Sequence, residues 1–190
     1  MRVFIAHIFR VAVLIMVLVP TVAPAADLGL SPAAFRQRYN TVASAMNAPI
    51  MPEEAAETLV VPDKNKSGNI LSTVSMYYLN ERISMLLNCP QETPDKVTGA
   101  AVIGGVGEEF TFATAADIQA AMIALLTMLT PDLSIVDREN LVRGLGLLEG
   151  NNGDFTDGAI RRRTAAGIHF HTVANENTGI ELVARPAPQP

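Results

Sequence analysis

Three stretches, Ile70–Tyr78, Ile83–Cys89 and Lys96–Ile103, follow one another with only a few polar residues between them. This spacing constrains the fold more than any other feature of the chain. A parallel pair of strands needs a crossover of about a dozen residues, so strands joined through Asn80-Glu81 and through Pro90–Asp95 can neighbour one another only as an antiparallel meander. Side chains alternate across a strand, so Ile70, Val74, Met76 and Tyr78 share one side of the first stretch, interrupted by Ser72. Leu71, Thr73, Ser75 and Tyr77 form the other, more polar side. In the second stretch Cys89 has the parity of Ile83, Met85 and Leu87, which predicts a buried, inert thiol rather than a reactive one.

The flanking segments read as helices and further strands. Ser31-Pro32 opens a helix, with Ser as N-cap and Pro where a missing N–H is harmless. Phe35, Tyr39, Val42 and Met46 follow at helical spacing, and the pattern fades before Pro49 and Pro52. Glu57–Val61 is short and β-rich. Ala115–Leu129 is apolar almost all round, which predicts a helix lying deep against a sheet, with Thr114 as its cap and Asp117 as the capping partner. Ser134 and Asp137 repeat that pattern for a short helix to about Arg143, with Gly144 as a stop. Asn151–Asp154 reads as a turn. Gly167–Val173 and Ile180–Arg185 form a last hairpin around Asn175–Gly179, and Pro186–Pro190 is a loose tail. The expected class is α+β: an antiparallel sheet packed against helices in the order helix–strands–helices–strands, as one domain over residues 26–185.

Residues 1–25 read as a signal peptide. Arg2 and Arg10 supply a basic start, Val11–Val19 is an unbroken apolar core, Pro20 ends it, and Ala23-Pro24-Ala25 offers the small residues a signal peptidase accepts. An uncleaved anchor is the weaker alternative, because a span needs ~20 apolar residues and this core is shorter. No Cys follows it to accept a lipid, and paired arginines are missing. The expected destination is the periplasm or the exterior, with no membrane span after cleavage. Loss of Arg2 and Arg10 makes the remainder more acidic than the net −5 of the whole chain. Such a chain is a poor partner for nucleic acid, whose phosphates must be neutralised by Lys and Arg. Cys89 is the single cysteine, so an intrachain disulfide is excluded.

Leu28-Gly29-Leu30-Ser31-Pro32, Phe35 and Tyr39-Asn40, with Leu145-Gly146-Leu147 after a short helix, resemble small secreted proteins of proteobacteria. The layout of elements is similar too. That family carries no assigned activity, so the resemblance implies a layout and contributes no site residues.

Few residues carry chemistry. His169 and His171, two apart in a strand, project from one face and could share a metal ion if a third ligand such as Glu181 joined them; the plain alternative is a histidine face in water. Arg161-Arg162-Arg163 is the one basic cluster, suited to an anion or an acidic partner, although alternation sends Arg162 opposite to its neighbours. Asp63, Asn65, Ser67 and Gly68 match the first half of a calcium loop, but Val74 stands where the bidentate Glu belongs. Gly104-Gly105-Val106-Gly107 is followed by Glu108-Glu109, which would repel a phosphate. No Gly-x-Ser-x-Gly elbow and no His-Glu-x-x-His helix occurs. The sequence therefore predicts an exported, non-catalytic domain that binds an envelope or secreted protein and needs no cofactor. A metal-dependent enzyme using His169 and His171 is one alternative. The other is a small-ligand carrier, with helix Ala115–Leu129 covering a pocket.

Overall fold

The computed structural model describes residues 27–63, 69–105, 112–147, 160–175 and 179–188. Residues 1–25, most of the Asp63–Asn69 turn, the Glu108-Glu109 segment and the Asn151–Asp154 turn lie outside them. The elements are α1 (Pro32–Ala45), β1 (Glu57–Pro62), β2 (Ile70–Tyr78), β3 (Ile83–Pro90), β4 (Gly99–Gly104), α2 (Phe112–Leu129), α3 (Ile135–Gly144), β5 (Ile160–Ala165), β6 (Ile168–Asn175) and β7 (Gly179–Pro186). All seven strands form one antiparallel sheet in the order β1-β2-β3-β4-β7-β6-β5. The predicted α+β class and element order hold. The sheet is two meanders, β1–β4 and β5–β7, that meet where β4 pairs with β7.

Local chemistry accounts for the helix ends. Ser31 Oγ accepts from Ala34 N at 3.2 Å, and Phe35, Tyr39 and Ala43 become the buried stripe of α1. The chain leaving α1 is pinned by Asn40, whose side chain both accepts from and donates to the Met51 backbone, and by the Tyr39 hydroxyl donating to Pro49 O. Ser134 caps α3 as expected, accepting from Asp137 N at 3.1 Å. Helix α2 begins at Phe112, so Thr114 lies within its first turn rather than at its N-cap. It runs close over the sheet because Gly104 has no side chain: a Cβ there would sit 2.5 Å from Ile118. Gln119 Nε2 donates to Leu147 O and ties α2 to the end of α3.

The β5–β6 hairpin is the element the sequence concealed. Ala165 pairs with Ile168, so Ala166-Gly167 is a two-residue turn, and both have positive φ, +50° and +73°. That is the backbone a tight hairpin needs to match the twist of its strands. Gly167 therefore belongs to the turn rather than to the strand. Residues 160–165, Ile-Arg-Arg-Arg-Thr-Ala, lack the apolar alternation of a strand because β5 is a sheet edge with little to bury.

One face of the sheet carries the main core. Ile83, Met85, Leu87 and Cys89 of β3, Ala100 and Val102 of β4, Phe170 of β6 and Leu182 of β7 pack with Phe35, Met122, Leu125 and Leu141 of the three helices. The opposite face carries a second cluster, Val61, Val74, Met76, Leu86, Ala101 and Val183, all from strands. On β2 the more apolar side thus faces away from the helices, while Tyr77, on the more polar side, joins the main core. Cys89 lies in the main core, and burial raises its thiol pKa to about 11, as an inert cysteine requires.

Candidate functional site

Strand parity and register place the chemistry-bearing residues on the face that the three helices leave alone. On β6, Ile168 and Phe170 point into the main core, and Thr172 donates from Oγ1 to Leu145 O. His169, His171 and Val173 therefore project from the opposite face. On β7 the same rule sends Glu181, Val183 and Arg185 there. The ladders then set neighbours. His171 pairs with Arg162 on β5 and with Val183 on β7, while His169 pairs with Thr164 and with Arg185. Directly paired residues on one face hold their Cβ atoms about 4.5–5.5 Å apart. Two imidazoles and two guanidiniums are thereby gathered at one end of the sheet. The rings of His169 and His171 lie 6.3 Å apart, and the Thr164 hydroxyl meets His169 Nδ1 at 3.0 Å.

The tri-arginine cluster is divided. Arg162 joins the histidines, whereas Arg161 and Arg163 turn to the helix side, with their guanidinium groups against Gly146 and Gly144 at the end of α3. There the carbonyl end of the helix favours positive charge, and glycine leaves room for the planar groups. These two arginines secure the hairpin to α3.

Electrostatics at the gathered end disfavour added positive charge. His171 is 6% exposed, and its pKa falls to about 4, first through burial and then through Arg185, His169 and Arg162. His169 is also lowered, by burial and by the same two arginines. Glu181, 7% exposed, sits between Ile103 on β4 and Val173 on β6, and burial raises its pKa to about 7. No group of three His, Cys, Asp or Glu side chains among the described residues is placed to share a metal ion. Arg162 and Arg185 lower both imidazoles, and the same positive charge repels a cation. Among the described residues the ring contact of His169 is to the Thr164 hydroxyl, and no carboxylate hydrogen-bonds either ring.

From this end an apolar track crosses the sheet. The register lines up Val183, Ala101, Leu86 and Met76 from β7 to β2, continuing the line of Arg162 and His171. Beside the track two buried polar atoms, Ser72 Oγ and Asn88 Oδ1, have no hydrogen-bond partner among the described residues. Both residues belong to this face, since Ser72 pairs with Val61 and Asn88 with Val74 of the second cluster.

On α2, the helix that the carrier alternative sets over a pocket, Ile118, Met122, Leu125 and Leu126 are buried in the main core. An open cleft of about 700 Å³ does lie against α1, lined by Arg36, Gln37, Asn40, Met51 and Glu53. Its polar groups are partly engaged, Asn40 with Met51 and Arg36 with Glu53 at 3.7 Å. Sequence reasoning missed Arg185. Its parity with Glu181 and Val183 was visible, but the β6–β7 register that sets it beside His169 was not. No helix among the described residues is long and apolar enough to cross a membrane. Comparison with family models, curated proteins and solved structures finds no match to this chain.

Proposed function

We propose that this is an exported, non-catalytic binding domain, similar in kind to the small secreted proteobacterial proteins it resembles, and that it holds an anionic group at the end of the sheet formed by His169, His171, Arg162 and Arg185. The observation that carries the reading is the register of β5, β6 and β7, which sets a guanidinium beside each imidazole on one face. Arginine offers a planar fork of donors suited to carboxylate or phosphate. Each neutral imidazole adds one ring N–H, and the Thr164 hydroxyl holds the His169 ring. The same surroundings weigh against the metal reading of His169 and His171, because the field that lowers both imidazoles opposes a cation.

An imidazole NMR titration of the processed chain, with and without acetate or inorganic phosphate, tests this. A bound anion raises the pKa of both histidines toward the ordinary value, since it offsets the two arginines. Arg162→Ala with Arg185→Ala abolishes that response. Histidine pKa values indifferent to either anion, with zinc bound at micromolar concentration instead, would return the site to a metal pair.

A further inference from the structure

We infer that β1 docks a second copy of this chain: two β1 strands pair antiparallel about a twofold axis at Leu59 and join two sheets into one.

The two edges of the sheet are built differently. β5 carries Arg161, Arg162 and Arg163, and charge along an edge discourages a further strand. β1 reads Glu-Thr-Leu-Val-Val-Pro, with no charge from Thr58 to Pro62 and β-branched residues at Thr58, Val60 and Val61. Thr58, Val60 and Pro62 are exposed, Val60 at 56%. Ile70, Leu71 and Tyr78 of the neighbouring β2 are exposed too, so apolar surface gathers at this edge.

The backbone sets the pairing. Gln91 N donates to Leu71 O, so the backbone groups of Leu71, Thr73, Ser75 and Tyr77 turn to β3, and those of Ser72, Val74 and Met76 turn to β1. Their partners Val61, Leu59 and Glu57 bond inward, and the N–H and C=O of Thr58 and Val60 point out of the sheet. This edge is complementary to itself. With Leu59 on the axis, Thr58 lies opposite the second copy's Val60, and Val60 opposite its Thr58. Each pair exchanges two hydrogen bonds, which uses every outward group of both residues. Beyond them Pro62, which has no N–H, meets Ala56, whose N–H is already given to Met76 O. A slip of two residues either way sets Thr58 against Pro62 or Val60 against Ala56, and neither has an N–H to offer. Glu57 then faces Val61 rather than a like charge, and the Tyr78 hydroxyl donates to its carboxylate at 3.2 Å. This match of β1 with itself selects a second copy as the occupant. The seam is one strand wide, smaller than the interface of a permanent dimer, so the pair forms reversibly. His169, His171, Arg162 and Arg185 lie at the far side of the sheet and stay outside it in both copies.

Sedimentation equilibrium of the processed chain from about 1 µM to 1 mM should show a monomer–dimer equilibrium. Val60→Pro removes an outward N–H and leaves the ladder to β2 intact, so it should weaken the dimer tenfold or more. Two cysteine variants read the register without altering the backbone. Leu59→Cys should cross-link under mild oxidation, because its symmetry mate lies opposite with Cβ atoms about 4.5–5.5 Å apart. Val60→Cys, opposite Thr58, should cross-link at least tenfold less. The Cys89 thiol is buried and takes no part. A monomer at every concentration overturns the proposal. So does a dimer that Val60→Pro leaves intact, or one that Val60→Cys links as readily as Leu59→Cys.

Discussion

Met85 and Leu86 are adjacent on β3, both fully buried, and they face opposite ways. Met85 belongs to a core shared by the sheet and three helices; Leu86 belongs to a cluster whose described members all come from strands. The same seven strands thus present one face built for stability and another that mixes apolar side chains with unpaired polar atoms, two imidazoles, two arginines and a buried carboxyl. An unpaired buried polar atom costs about 1–3 kcal/mol, and among the described residues such atoms occur on both sides: Ser72 Oγ and Asn88 Oδ1 with the second cluster, Arg138 Nε on α3. What separates the faces is that the described helices pack on one, while both imidazoles with Arg162 and Arg185 stand on the other.

The comparison breaks most directly at those two residues. Met85→Ala should cost about 2–5 kcal/mol, because α2 and the neighbouring strands cannot close the cavity. Leu86→Ala, whose described cluster neighbours are all strand residues, should cost no more than about half as much in the same urea titration. Equal losses would mean that the two faces are equivalent cores.

The buried ionisable pair sharpens the contrast through pH. Glu181 has a folded pKa of about 7 against an ordinary 4.5, so the folded state holds the proton more tightly. Its contribution is fully present below pH 4.5 and is lost as pH rises through 7. Glu181→Gln should therefore stabilise the protein at pH 8, by up to about 3 kcal/mol at 1.36 kcal/mol per pKa unit, and change little at pH 4. His171 runs the opposite way. Its folded pKa of about 4 lies below the ordinary 6.5, so its contribution is present above pH 6.5 and lost as pH falls through 4. His171→Gln should improve relative to the parent as pH drops from 6.5 to 4, by a comparable amount. In the parent the two slopes oppose each other between about pH 4.5 and 6.5, which predicts a plateau in unfolding free energy that either substitution tilts.

The smallest effect concerns the hairpin that carries Arg162 and His171. Ala166 holds φ at +50°, where a Cβ is strained. Ala166→Gly should raise the melting temperature slightly, by about 0.5–1 kcal/mol in stability, without altering the histidine titrations.

Much of the fold was legible because its signals are local. Ser31 and Ser134 mark helix starts through their own side chains, and short polar turns fix the meander. The all-round apolar stretch around Ile118–Leu129 announced a helix pressed against the sheet. Edge strand β5 was hidden because an edge carries no alternating apolar signature, and the positive φ of Ala166 is not encoded by its residue type. The site was half legible. Parity put His169 and His171 on one face and sent Arg162 away from Arg161 and Arg163. Which residues stand beside them depends on pairing between β5, β6 and β7 and on the β4–β7 junction, where the partners are distant in sequence, as Ala101 and Val183 are. No local pattern reports such a junction, so Arg185 and the apolar track emerged only with the register.

NMR of the processed chain with added acetate or inorganic phosphate tests the division of labour between the faces most directly. The rings of His169 and His171 and the methyls of Val183 beside them should shift, while Phe170 and Leu182, pointing to the helices, should not. Equal shifts on both faces, or shifts confined to the helix side, would contradict the assignment of the second face as the binding surface.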